Sequence, residues 1–293
     1  MNVSDPASVQ GAPMSVLPWS RRTAATTKVP PAPVIGAAVW LWPGGALYAG
    51  PSLRLGPHSG AVSCLAVGVD APFVVQRAPA GALPARTALI APRVRNHITA
   101  GGDRMVFLYL EPGSASDAAC RVRFTAGDRD VLVRHEAEAA ILTQAARLSV
   151  HSPTEQITTW IAEATGYDAT SFTDPRVGVA IRRLLGADQP LPAVFLAEEL
   201  GLSESRFLRL FRDNTGTSYR RFRLWAQMHR AARALAAGHN LTRAAADGYF
   251  ASPSHFSTAF HAMFGLTPSA LLSRGLTIRC LDPGPTDAPR KSG

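Results

Sequence analysis

The sequence predicts a two-domain protein, with a β-rich N-terminal half and an all-α C-terminal domain, on three observations. Residues 34–112 contain short apolar runs separated by Gly and Pro, which is typical of a sandwich or small barrel of short strands. Residues 191–274 contain one helical pattern written twice. Positive charge is concentrated late in the chain, because residues 175–275 hold 13 arginines and six acidic residues.

Length and composition set broad limits. The 293 residues suit one large or two ordinary domains, and the net charge of +9 favours an anionic partner. Cys64, Cys120 and Cys280 are widely spaced and odd in number, which argues against a disulfide framework or a zinc site. No apolar run reaches the roughly 18 residues of a membrane span. The sequence therefore predicts a cytoplasmic protein without a membrane partner.

Taken in order, the chain predicts five segments. Residues 1–33 are rich in Pro, Ala, Ser and Thr and predict a disordered arm, followed by the β-rich domain at 34–112. Residues 113–173 predict a helical connector, in which Ile157, Trp160 and Ile161 form an apolar stripe, either domain core or a dimer contact. The helical domain spans 174–275, and residues 276–293 predict a loose tail.

The repeated pattern occupies residues 197–216 and 245–265, and a shift of 49 aligns its phenylalanines and serines. Each copy predicts a short helix, a tight turn and a second helix with one apolar edge and one small or cationic edge. Such a second helix suits a helix-turn-helix that enters the major groove of DNA. The alternative is a pair of amphipathic hairpins with solvated polar faces, which two copies with matched faces disfavour.

Local signals bound the helices of this domain. Asp174 and Pro175 predict a helix start, Ser203 predicts the N-cap of the first recognition helix, and one long helix from about Ser218 should stop at Gly238. In the short helix before Gly201, the pattern predicts that Phe195, Leu196 and Leu200 are buried.

Three runs are informative: L-A-E-E-L-G-L-S-E-S-R-F-L-R-L-F-R in the first copy, F-R-L-W-A-Q-M-H-R-A-A-R-A-L-A-A-G between the copies, and S-P-S-H-F-S-T-A-F-H-A-M-F-G-L-T-P in the second copy. The S-H-F-S and F-G-L-T-P parts are the most specific. With these runs, residues 175–274 resemble the DNA-binding domain of the AraC/XylS family of transcription regulators. The resemblance implies a tandem, homeodomain-like helix-turn-helix fold whose two units read successive major-groove segments. Residues 34–112 more weakly resemble the cupin-like sensor domain common in that family. The implied partners are double-stranded DNA, RNA polymerase, a small-molecule effector and a second copy of the chain.

The resemblance and the exposed edges imply a set of DNA contacts in the two recognition helices: Ser203, Ser205, Arg206, Arg209, Arg212, Ser252, Ser254, His255, Thr258 and His261. Arg209 would reach a base edge, and Arg212 and His261 would meet phosphates. Two positions depart from the family, since Thr258 stands where Arg is usual and Tyr249 where Gly is usual. A Gly at the second position would permit φ > 0, which Tyr tolerates poorly.

An enzyme is the alternative function class. A metal-binding cupin needs three or four His and Glu ligands, but the runs G-P-H-S-G-A-V and A-P-R-V-R-N-H supply only His58 and His97, and no Glu lies between His58 and Glu111. The sequence therefore predicts no catalytic residue, no metal and no cofactor. A cupin-type enzyme fused to a DNA-binding domain remains the runner-up, and none of the three cysteines lies in a motif that would indicate DNA-alkylation repair.

Overall fold

The computed structural model describes residues 36–77, 79–166 and 174–281. The arm predicted at 1–33 and the last part of the predicted tail lie outside the described residues. No helix in the described ranges is long and apolar enough to cross a bilayer.

The β-rich region, residues 36–166, confirms the predicted β-rich half. In chain order, the strands in the described part of the protein are β1 (Ala38–Trp42), β2 (Gly45–Pro51), β3 (Ser63–Gly68), β4 (Phe73–Arg77), β5 (Gly81–Ala85), β6 (Thr87–Ile90), β7 (His97–Ala100), β8 (Arg104–Leu110), β9 (Phe124–Gly127), β10 (Val131–His135) and β11 (Thr277–Cys280). They form an eight-stranded sheet in the order β11-β1-β2-β8-β3-β6-β10-β9 and a three-stranded sheet in the order β5-β4-β7.

Strand alternation buries both faces of the large sheet. Phe107 points toward the small sheet and packs in one core with Phe73 and Ile98. The neighbouring residue Leu108 points the other way, into a second core that contains Trp40 and Trp160. Because successive side chains on a strand face opposite sides, each central strand contributes to both cores.

The helices are α1 (Ala115–Val122), α2 (Glu138–Ala145), α3 (Thr154–Thr165), α4 (Pro175–Gly186), α5 (Ala193–Glu199), α6 (Glu204–Thr215), α7 (Tyr219–Ala236), α8 (Leu241–Asp247), α9 (Pro253–Phe264) and α10 (Pro268–Leu272). Of these, α1 to α3 cover the outer face of the large sheet. The stripe of Ile157, Trp160 and Ile161 is buried there, so it is domain core rather than a surface for a second copy.

The sheet is larger than the sequence indicates. Strands β9 and β10 lie within the predicted helical connector, where Val131 and Val133 alternate inward while α2 and α3 follow as predicted helices. Strand β11 lies in the predicted tail and pairs in parallel with β1, from Ala38 opposite Thr277 to Leu41 opposite Cys280. A parallel partner more than 200 residues away leaves no local sequence pattern. The unpaired N–H and C=O groups of an edge strand can form hydrogen bonds with the backbone of any strand that reaches them.

The helical region, residues 174–275, holds two helix-turn-helix units, α5–α6 and α8–α9, joined by the long helix α7. Asp174 and Ser203 are side-chain N-caps as predicted, and α7 ends just before Gly238 at φ 87°. Leu196 is buried, but the expectation for Phe195 was wrong, because its side chain is 47% exposed. The short helix α5 has room for only one inward-facing edge.

Candidate nucleic-acid interface

The two helix-turn-helix units share the same turn. In the first, Gly201 follows α5 with φ 67°, and the amides of Gly201 and Leu202 donate to the carbonyls of Glu198 and Ala197 at 3.0 and 2.8 Å. These two bonds satisfy carbonyls that the end of a helix leaves free. The turn therefore fixes the direction in which α6 leaves.

The second turn repeats these bonds with a different residue at the critical position. Tyr249 has φ 59°, and the amides of Tyr249 and Phe250 each donate at 2.9 Å, to Ala246 and Ala245. One additional residue, Ala251, then precedes the next N-cap. Tyr249 therefore adopts a positive φ at the position where the resemblance implies a Gly, which would adopt this conformation at lower cost.

Tyr249 is held in its strained backbone by α7. The side-chain amide of Gln227 donates to the Tyr249 carbonyl at 2.9 Å, and the guanidinium of Arg230 lies 5.9 Å from the centre of the Tyr249 ring. A left-handed conformation costs a residue with a side chain about 1–2 kcal/mol. These two contacts offset part of that cost.

The first recognition helix, α6, presents the predicted cationic edge. Phe207 and Phe211 are fully buried and form edge-on contacts with Tyr219 at 5.4 and 5.5 Å, which orients the helix. Arg206 and Arg209 are exposed on the other edge, and neither makes an ion pair with a described residue. Two unpaired guanidinium groups on one exposed edge form a ready site for base edges and phosphates.

The other predicted residues of α6 are also accessible. Arg212 contacts Asp213 at 3.4 Å, a pair in which both side chains are more than half exposed and which is therefore weak. Ser205 is exposed, and Ser203 accepts the Arg206 amide as N-cap at 3.4 Å. Leu208 is 38% exposed, so an apolar side chain also lies on this edge.

The second recognition helix, α9, presents a less basic edge. Ser252 is its N-cap and accepts the His255 amide at 3.0 Å. The remaining predicted contacts of this helix are all exposed: Ser254, His255, Thr258 and His261. None of these side chains carries the permanent charge of an arginine, so the two units differ chemically on their exposed edges.

The sequence did not predict that α9 is fastened to the β-rich region. The Ser59 amide donates to the Ala262 carbonyl at 3.1 Å, and the Gly56 amide donates to the Gly265 carbonyl at 2.7 Å. Arg221, near the start of α7, donates to the Ser59 carbonyl at 3.2 Å. The loop at residues 56–60 therefore binds the end of one recognition helix and the start of the long helix.

The two regions also share an apolar core. Tyr109 of β8 lies 5.8 Å from the Trp225 ring and 5.5 Å from the Phe264 ring, and Leu41 and Val62 are buried among the residues of the helical region. The sequence pattern predicts these regions as separate domains. Their contact joins α7 and α9 to the β-rich region.

The two histidines of the cupin-like runs make structural contacts. His58 Nδ1 lies 2.9 Å from the Gly56 carbonyl, and burial lowers the pKa of this imidazole. His97 Nδ1 lies 3.1 Å from the side-chain oxygen of Gln76. No group of three or more His, Cys, Asp or Glu that could hold a metal occurs within the described ranges.

Comparisons with known proteins agree with this geometry. Residues 196–274 match the model of a helix-turn-helix domain. The whole fold is similar to apo ToxT K231A from Vibrio cholerae, with a TM-score of 0.52, 11% identity and coverage of 79% of this chain and 97% of that one. It is also similar to ToxT with a bound unsaturated fatty acid, with a TM-score of 0.50, 11% identity and coverage of 80% and 96%. No curated protein sequence matches the chain.

Proposed function

Given the AraC-type helix-turn-helix domain at residues 196–274, we propose that this protein is a transcription regulator that binds double-stranded DNA through both units. The observation that carries the proposal is the exposed edge of α6, on which Arg206 and Arg209 have no acidic partner among the described residues. A buried aromatic edge fixes this helix, and α7 sets the distance to the second unit.

In the bound state, α6 enters the major groove with Arg209 against a guanine, which it can hold through two nitrogens. Ser205 and Arg206 contact neighbouring bases or sugars, and Arg212 exchanges Asp213 for a phosphate. The amides at the N-terminus of α6 add a favourable dipole toward the DNA backbone.

In the same way, α9 enters the next segment of the groove. Ser254, His255 and Thr258 face the bases, and His261 faces a phosphate. Ser203 and Ser252 keep the first turns of the two helices in place as N-caps, so their effect on DNA binding is through helix position.

A gel-shift titration of the full chain on randomised duplex DNA tests this function. The wild type is expected to bind, with an affinity that falls steeply as salt is raised because bound phosphates release counterions. Arg209→Ala should weaken binding, whereas Arg147→Ala, the same charge change at an exposed position two residues beyond the end of α2, should not. A chain that fails to bind DNA at low salt refutes the function.

The effector is proposed to bind at the contact of the two regions. An apolar cavity of about 100 Å³ lies between the large sheet and α7, α9 and α10, lined among others by Val39, Tyr48, Phe107, Trp225, Phe264 and Leu271. Ligand sites usually enclose about 300–1,000 Å³. A ligand here must therefore push the helices away from the sheet, which links its binding to the position of α9.

The apolar lining favours a hydrophobic effector, and the fatty acid in one similar ToxT structure is a ligand of this type. Oleate is the probe. Ala232 lines the cavity and Ala236 lies one turn farther along α7, outside it. Oleate should change the DNA affinity of the wild type and of Ala236→Leu but not of Ala232→Leu, which fills the cavity. An equal response in all three proteins refutes the effector site while leaving DNA binding intact.

Two protein partners belong to the same proposal. Val194 and Phe195 on α5 are 45% and 47% exposed and offer an apolar contact for RNA polymerase beside the first unit. A homodimer must use a surface other than the α3 stripe, which is buried. Light scattering of the purified chain measures the dimer directly.

A further inference from the structure

An arginine-lined cavity of about 970 Å³ opens where the β-rich region meets the end of α6 and the start of α7. It is separate from the apolar cavity described above. Six arginines and two aspartates line it: Arg77, Arg93, Arg95, Arg121, Arg129, Arg221, Asp117 and Asp130. The lining side chains thus carry a strong excess of positive charge.

Only half of these arginines have an acidic partner among the described residues. The pairs are Arg77 with Asp128 at 3.0 Å, Arg121 with Asp117 at 3.6 Å and Arg129 with Asp130 at 3.6 Å. Arg93, Arg95 and Arg221 make no ion pair with a described residue. Three like charges on one concave surface repel one another and are stabilised by a counterion.

The backbone holds this arrangement in place. Arg93 has φ 68°, a conformation that is costly for a residue with a side chain and that occurs preferentially at ligand sites. Its amide donates to the Gly60 carbonyl at 2.9 Å. Arg221 is half-buried and is fixed by its bond to the Ser59 carbonyl, and burial together with the charge of Arg93 lowers the pKa of its guanidinium.

We propose that this cavity binds a small organic polyanion, bearing phosphate or carboxylate groups, between Arg93 and Arg95 of the β-rich region and Arg221 of α7. Guanidinium groups bind both kinds of anion through paired hydrogen bonds, and the volume suits a ligand of ordinary metabolite size. None of the ten candidate DNA-contact residues lines the cavity. The anion joins the β-rich region to α7 and stabilises their contact.

The test is calorimetric titration of the full chain with two probes, inorganic pyrophosphate and citrate, at constant ionic strength. Wild type is expected to bind one equivalent of at least one probe, and the preferred probe identifies phosphate or carboxylate chemistry. Arg93→Gln and Arg95→Gln should each weaken binding about tenfold or more, the usual effect of one lost charge-assisted hydrogen bond. Arg54→Gln is the control, because Arg54 is exposed on the same region and outside the cavity.

Several results overturn the proposal. The proposal fails if the wild type binds neither probe. It also fails if the Arg54→Gln and Arg93→Gln variants bind the probes equally well. A gel shift on the same proteins separates the two proposals. If Arg93→Gln loses DNA affinity but keeps anion binding, the arginines belong to the DNA surface and the cavity proposal fails. A wild-type chain that binds an anion but no DNA refutes the proposed function alone.

Discussion

The two helix-turn-helix units should contribute unequally to sequence discrimination. Arg209 and Thr258 occupy equivalent points, 49 residues apart, at the centre of the exposed edges of α6 and α9. We expect Arg209→Ala to relax the preference at one base pair and Thr258→Ala to leave the preferred sequence nearly unchanged. Thr258→Arg should add a new preference about one helical turn (~34 Å) from the first.

The magnitude follows from the chemistry of the two side chains. One bidentate arginine–guanine contact contributes about 1–3 kcal/mol of discrimination, which corresponds to roughly 5- to 150-fold in relative affinity. Thr offers one hydroxyl and one methyl group close to its backbone. Because Arg209 is exposed and makes no ion pair with a described residue, its loss should change the free energy of unfolding by less than about 0.5 kcal/mol.

Selection from randomised duplex DNA, followed by sequencing, measures the information at each base pair for wild type and the three variants. Urea unfolding of the same proteins shows whether a change in DNA binding reflects lost folding. Arg147→Ala again controls for the loss of one positive charge.

The reasoning is refuted if both half-sites of the selected sequence carry equal information. It is refuted equally if Thr258→Ala erases preference as strongly as Arg209→Ala. A Thr258→Arg variant that keeps the wild-type consensus would show that α9 does not lie in the groove as proposed.

Three further predictions concern stability. Because Tyr249 has φ 59°, the Tyr249→Gly variant should be more stable to urea than Tyr249→Ala by about 1 kcal/mol. At Arg220, an exposed position in α7, the Gly variant should instead be less stable than the Ala variant. Equal stabilities of the two variants at residue 249 would contradict backbone strain there. Burial lowers the pKa of His229 to about 4, so below about pH 6.5 the unfolded chain binds more protons than the folded chain. Stability on the order of 2–3 kcal/mol is therefore lost as pH falls from 6.5 toward 4. His229→Gln should make the urea midpoint depend less on pH in this range, and an unchanged pH dependence would assign it to other groups. The isolated segment 172–276 should bind DNA but unfold at a lower temperature than the full chain, because Trp225 and Phe264 lose their packing contact with Tyr109. If the isolated segment is as stable as the full chain, this contact contributes nothing to stability.

Much of the candidate interface follows from local sequence. Ser203 and Ser252 cap the two recognition helices, and Phe207 and Phe256 face the core, because capping and the 3.6-residue period act within one or two turns. These features need no information from the rest of the chain.

The limits of local reasoning appear where segments far apart in the chain meet. In the sequence, His58 and the A-P-R-V-R run resemble remnants of cupin motifs. In the structure, the loop at 56–60 binds α9, and Arg93 and Arg95 line a cavity with Arg221. In the sequence, only the arginine pair Arg93 and Arg95 in one loop could have indicated that cavity. Arg221 lies 126 residues after Arg95, so the sequence alone could not show that these arginines meet.

The helical repeat, its caps and the chemistry of its two exposed edges can be predicted from local sequence, because they depend on hydrogen bonds and burial within a few turns. The pairing of β11 with β1, the packing of Tyr109 on Trp225 and Phe264, and the core shared by the β-rich and helical regions are visible only in the folded chain. Those contacts depend on which apolar surfaces remain unburied once the local elements have formed. Because segments from the whole chain can cover these surfaces, the outcome depends on the whole chain.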